Sequence, residues 1–209
     1  MTGKIPEIIG EYKIKCTEMM FYMYLPIKLS GNLDIMTPSR LHTFNKLIKA
    51  AILREDVKTI TQKYIYLTVK HLYVQPGYSG QRGGYHIDGF NTDDINYIWY
   101  DSYPTVFCTQ EFNLSDDHET SIKQMEEQAK EENEITFPAN TLLRLDQTQV
   151  HKAPEIDKAG MRTFVKISFS KHKYNLEGNA YNHLLKYNWK MHPRGEVRNH
   201  PTKANSDFV

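Results

Sequence analysis

The stretch "GYHIDGF", residues 84–90, places His86 and Asp88 two positions apart. In an extended chain residues i and i+2 point to the same face, so an imidazole and a carboxylate there could converge on one cation. Two ligands do not complete a site. If these two hold a metal, a third ligand should come from another strand, and in a two-histidine, one-carboxylate face it is a second histidine. Of the nine histidines, the eight besides His86 compete for that role. His172, His183, His192 and His200 lie in or near a basic C-terminal stretch that no strand-like segment follows. His118 falls on an acidic helical segment and His42 on an amphipathic one. His71 shares a strand face with Ile65, Leu67 and Val69 and reads as a hydrogen-bonded core residue. His151 differs, because it ends the strand-like "TLLRLDQTQVH" and precedes "KAPEIDKAG" and a further strand. Taken singly, His86 with Asp88 reads as a hydrogen-bonding pair near a turn, and His151 says less still. Their order, with strand character on both sides, favours a metal site.

The strand after His151 opens with Arg162. Its planar fork can grip a carboxylate with two parallel hydrogen bonds, which a chelating dicarboxylic cosubstrate would offer at its far end. Alternation along that strand puts Arg162, Phe164 and Lys166 on one face and Thr163, Val165, Ile167 and Phe169 on the other. This order of residues resembles the iron(II)- and 2-oxoglutarate-dependent dioxygenase superfamily. "LYVQPGYSGQRGGYHID" is similar to the strand, Pro-Gly loop and H-x-D of its prolyl-hydroxylase-like branch, and "HKAPEIDKAGMRTFVKISF" to that branch's histidine, Gly-x-Arg and closing strand. The resemblance covers about residues 64–170.

Such membership implies a double-stranded β-helix, a jelly-roll or cupin-like barrel with the metal near its open mouth. It implies iron(II) held at a catalytic centre of His86, Asp88 and His151. It further implies 2-oxoglutarate anchored by Arg162, consumption of O2, and release of succinate and CO2 as an unactivated C–H bond is hydroxylated. Where many relatives have serine or threonine two residues after the arginine, this chain has Phe164. Tyr73, Tyr85 and Lys166 are therefore candidates to help hold the cosubstrate. The alternative is a cupin-like protein that binds a metal or ligand without turnover, with nucleic acid as one such ligand.

The elements that must position these residues are mainly β with flanking helices. Residues 37–54 carry Leu41, Phe44, Leu47, Ile48, Ala51 and Ile52 at helical spacing, with Thr37 as N-cap and Pro38 at the first helical position. Strands are predicted at 64–74, at "YHIDGF", at 95–112, at 141–147 and at 162–170. Residues 115–134 predict a weakly docked surface helix, with Ser115 as N-cap and a stripe of Ile122, Met125 and Ala129; it could serve as a lid over the site. From His183 the chain turns basic, with Lys186, Lys190, Arg194, Arg198 and Lys203 against Glu196 and Asp207. Tyr187 and Trp189 are interleaved there, a pattern that could contact phosphates and stack on bases, although docking of these rings on the barrel is the plainer reading. The last dozen residues read as frayed.

The 209 residues suit a single domain: a strand-and-helix support over 1–60, a jelly-roll core over 64–170 and a basic extension over 171–209. A net charge of +1 with 24% charged residues favours no polyanionic partner overall. Cys16 and Cys108 are too far apart for a cysteine zinc site, and a secreted disulfide framework is not indicated. The apolar run "MMFYMYLPI" is too short to span a bilayer. The expectation is a soluble, cytoplasmic protein without membrane contact.

Overall fold

The computed structural model describes residues 2–194. Arg198, His200, Lys203, Glu196, Asp207 and the expected frayed end lie outside the described residues. In chain order the elements are β1 (Glu7–Glu11), β2 (Met20–Lys28), a 3-10 turn (Ser39–Phe44), α1 (Asn45–Arg54), α2 (Val57–Gln62), β3 (Tyr64–Val74), β4 (Ile95–Tyr100) and β5 (Val106–Cys108). There follow α3 (His118–Gln128), a second 3-10 turn (Glu131–Asn133), β6 (Glu134–Ile135), β7 (Thr141–Leu145), β8 (His151–Lys152) and β9 (Gly160–Ser170). The protein is mainly β, with antiparallel sheets and few helices.

A six-stranded sheet runs β1-β7-β4-β9-β3-β2 and a three-stranded sheet runs β6-β5-β8. His86 bridges to His151 and so adds one more position beside β8. From β3 onward the chain crosses between the sheets: β3 in the large one, His86 in the small, β4 in the large, β5 and β6 in the small, β7 in the large, β8 in the small, β9 in the large.

Side-chain alternation explains why the large sheet has two uses. β3 and β9 pair without a slip from Tyr64 opposite Ser170 to Val74 opposite Gly160. Their odd-numbered Ile65, Leu67, Val69, Val165, Ile167 and Phe169 pack under Leu41, Phe44, Leu47, Ile48 and Ala51 from the first 3-10 turn and α1. Each such buried side chain contributes roughly 2 kcal/mol by leaving water. The opposite face presents Ile98, Tyr100, Leu143, Leu145 and Phe164, which meet Phe107 of the small sheet. The site residues of β9 therefore point between the sheets.

Several elements differ from the sequence reading. Among the described residues no strand pairing joins the two sheets, so they do not close into one barrel. The strands of 95–112 part at Tyr103, which adopts φ 48 between β4 and β5 and turns the chain from one sheet to the other. "YHIDGF" is not a strand: His86 alone pairs, and Gly84 and Gly89, at φ 77 and 71, bend the chain on either side. A β-carbon at Gly89 would lie 2.8 Å from that of Asp94, so only glycine fits this turn.

The first helical segment starts as a 3-10 turn with Pro38 at its cap position and no side-chain cap, so Thr37 does not serve. In α3 the cap is Asp117, whose carboxylate accepts from the Thr120 amide at 2.9 Å; Ser115 stands two residues outside, accepting from the Asp117 amide. Met125 of that helix is buried against Tyr85, Ile87, Cys108, Phe112 and Val150, with Ile122 and Ala129 alongside, so the helix is docked. Beyond β9, Tyr174 stacks on Tyr66 with centroids 4.5 Å apart, and Trp189 lies edge-on to Tyr64. Tyr187 packs against Trp189 and Tyr181. No helix among the described residues is long and apolar enough to cross a membrane.

Candidate metal centre

His86 and His151 face each other across an antiparallel pair. The His86 amide donates to the His151 carbonyl at 2.9 Å and the His151 amide returns the bond at 3.0 Å. Residues that exchange both backbone bonds project their side chains to the same side of the sheet. The two imidazole centroids lie 4.5 Å apart. Each ring is oriented from behind: His86 Nδ1 lies 3.0 Å from the Gly84 carbonyl, and His151 Nδ1 lies 3.1 Å from the Gln149 carbonyl. A carbonyl only accepts, so Nδ1 carries the proton in both rings and each Nε2 keeps its lone pair.

Asp88 closes the face. Its Oδ2 lies 3.6 Å from His151 Nε2, and one ligand atom from each of His86, Asp88 and His151 lies within 4.8 Å of the others. Two neutral imidazoles and one carboxylate at this separation fit a divalent first-row transition metal. Burial, together with the neighbouring His151, pushes the His86 imidazole down to about 4, so it is neutral and ready to ligate near pH 7. Burial by itself would raise the Asp88 carboxyl, but the Lys166 ammonium and the two histidines outweigh it and hold Asp88 well below the usual carboxylate range.

Lys166 is the fourth member of the cluster. Its Nζ lies 3.1 Å from Asp88 Oδ1 and 3.2 Å from the Tyr24 hydroxyl. Burial opposes its charge, yet Asp88 and Tyr24 prevail and keep the ammonium protonated beyond its ordinary range. These groups line a cavity of about 330 Å³ between the two sheets. Thr68, Ile98 and Phe164 form its large-sheet wall, and Tyr174 and Asn179 enter from the chain beyond β9.

Three residues singled out in the sequence stand elsewhere. Arg162 is buried, but it does not line the cavity: its Nε donates to the Ser102 and Tyr103 carbonyls at 3.1 Å and its second nitrogen to Tyr103 at 2.9 Å. It shares the face of Phe164 and Lys166 as alternation requires, yet the Phe164 ring stacks against the guanidinium at 5.3 Å. The arginine clamps the β4–β5 turn. Tyr73 is 54% exposed and points outward, on the opposite face of β3 from Thr68. Tyr85 is buried in the α3 cluster, where its hydroxyl donates to Glu134. His71 is a core residue, with Nδ1 2.8 Å from the Thr163 hydroxyl.

Sequence reasoning missed Tyr24. It lies inside an apolar run, and what turns it toward the cavity is a positive φ of 48 set by pairing with β3. It also missed Asp94, a buried cavity-wall residue that accepts from the Tyr174 hydroxyl.

Fold and site together define an antiparallel two-sheet protein with a candidate two-histidine, one-carboxylate centre between its sheets. No protein-family model matches the chain, and no curated protein matches it. Eight solved chains do match. One is the crystal structure of EvdO2 from Micromonospora carbonacea var. aurantiaca, with 13% identity and a TM-score of 0.38, an alignment spanning 64% of this chain and 60% of that one.

Proposed function

We propose that the chain is an iron(II)- and 2-oxoglutarate-dependent oxygenase that hydroxylates an unactivated C–H bond. The observation that carries this reading is the convergence of His86, Asp88 and His151 within 4.8 Å, on one side of a cavity large enough for small molecules. Two histidines and a carboxylate on one face, with the remaining positions open, are the ligand set of non-haem iron(II) oxygenases. The order in which strands alternate between the sheets supports a double-stranded β-helix.

Bound iron with 2-oxoglutarate and O2 would supply the oxidising chemistry, one oxygen atom entering the substrate C–H bond and the other the succinate that forms as CO2 leaves. The residues of the chain orient and seclude. The Gly84 and Gln149 carbonyls fix the imidazole rings, and the Lys166 ammonium fixes Asp88. An ammonium has three donors, and two of those on Lys166 are directed at Asp88 and Tyr24. The third is available to an acid in the cavity, which gives Lys166 the cosubstrate role that the sequence assigned to Arg162. Phe164 and Ile98 supply apolar wall that keeps water from the reacting groups.

A second reading is a metal-binding protein without 2-oxoglutarate turnover. The engagement of Arg162 by backbone carbonyls favours it. Incubation with iron(II), 2-oxoglutarate and O2, with succinate measured by chromatography, separates the two. Succinate that requires both iron and the three ligands supports the oxygenase; stoichiometric iron binding with no succinate above the His151→Ala background, across a panel of candidate substrates, supports the second reading.

A further inference from the structure

The ligand set does not account for the backbone of Tyr24. This residue sits in β2 at φ 48, a left-handed conformation for a residue with a β-carbon, where the register against β3 slips between Tyr22 and Leu25. A bulge re-aims a side chain, and strain of this kind persists only where the surroundings hold it. The holding group is Thr68, whose hydroxyl oxygen accepts from the Tyr24 amide at 3.0 Å. As a result the phenol enters the cavity wall. Its ring lies edge-on to Tyr174 at 4.8 Å, and its hydroxyl lies 3.2 Å from Lys166 Nζ. Lys166 in turn contacts one carboxylate oxygen of Asp88, while the other oxygen is turned to His151.

We propose that Tyr24 is a positioning residue of the metal centre: acting through Lys166, it holds one oxygen of Asp88 so that only the other is presented to the metal. The proposal rests on reading His86, Asp88 and His151 as the ligands. A lysine carries its charge on a flexible four-carbon stem and does not fix its own head group. Tyr24 does so twice, by its hydroxyl and by its ring, whose centroid lies 5.1 Å from Nζ. With the ammonium placed, Asp88 would offer a bound metal a single oxygen, leaving room for another ligand where a bidentate carboxylate would sit.

Cobalt(II) titration followed by visible absorption tests this without turnover. The proteins compared are wild type, Tyr24→Phe, Thr68→Val, Lys166→Met, the Tyr24→Phe/Lys166→Met double variant, and Tyr73→Phe, in which an exposed tyrosine of the same sheet loses its hydroxyl. Wild type and Tyr73→Phe bind one equivalent with the same spectrum. Tyr24→Phe and Thr68→Val keep the wild-type circular dichroism, bind about tenfold more weakly and show altered cobalt bands, because the Asp88 coordination changes. The double variant binds no more weakly than Lys166→Met alone, as two residues acting in one chain require. Wild-type bands and affinity in Tyr24→Phe and Thr68→Val, or full additivity in the double variant, overturn the proposal while leaving the ligand set standing. A wild-type protein that binds no cobalt removes the ligand set and the proposal together.

Discussion

At the scale of single residues, the site is made by groups whose protons and rings are fixed from behind. His86 illustrates the consequence for stability. Unfolded, its imidazole takes a proton near 6.5; folded, burial and His151 lower that to about 4. Between those values the unfolded chain binds more protons, so folding stability falls as pH falls. In the metal-free protein this effect amounts to about 2 kcal/mol between pH 7 and pH 4.5. Urea denaturation at the two pH values is expected to show a shallower loss for His86→Gln than for wild type; equal losses would contradict the assignment. Arg162 carries a different prediction. Its three bonds to Ser102 and Tyr103 make it a clamp on the β4–β5 turn. Arg162→Met leaves two part-buried carbonyls without that donor and is expected to cost about 2 kcal/mol in thermal unfolding while iron affinity stays near wild type. Unchanged stability with a selective loss of 2-oxoglutarate binding would return the arginine to the site. Alternation along β9 was enough to assign its face, but nothing in a linear pattern tells that Phe164 and a neighbouring turn would claim the guanidinium first.

At the scale of elements, the candidate site depends on supports one layer removed from His86, Asp88 and His151. Met125 of α3 is 1% exposed and packs with Ile87 and Val150, the residues adjoining His86 and His151. Met125→Ala is expected to destabilise the protein by about 3 kcal/mol and to weaken iron binding, as measured by denaturation and metal titration. Retained stability would restore a loosely attached, lid-like helix. Glu55, just past α1, accepts from Arg144 of β7 at 2.6 Å and from the Tyr97 hydroxyl of β4. Its carboxylate is 6% exposed, so Glu55→Ala strands a partly buried guanidinium and is expected to cost about 3 kcal/mol by the same denaturation assay. β3 and β9 were legible in the sequence because long runs of β-branched and aromatic residues alternate without interruption. "YHIDGF" shares that composition and misleads, because the two flanking glycines at positive φ limit its pairing to His86.

At the scale of the whole molecule, convergence comes from a chain that passes repeatedly between two sheets. His86 and His151 are adjacent because each lies in the small sheet, whereas Lys166 reaches them from the large one. The convergence of His86, Asp88 and His151 at one candidate site was legible from their spacing. The sheet-crossing was not, since it rests on pairings between residues far apart in sequence. The same limit hid Tyr24, whose conformation arises only when β2 meets β3. The most direct measurement is an anaerobic calorimetric titration of iron(II) into wild type and into His151→Ala. One equivalent bound by wild type and none by the variant, with matching circular dichroism, is the expected result; stoichiometric iron in the His151→Ala protein would contradict a centre built on His86, Asp88 and His151.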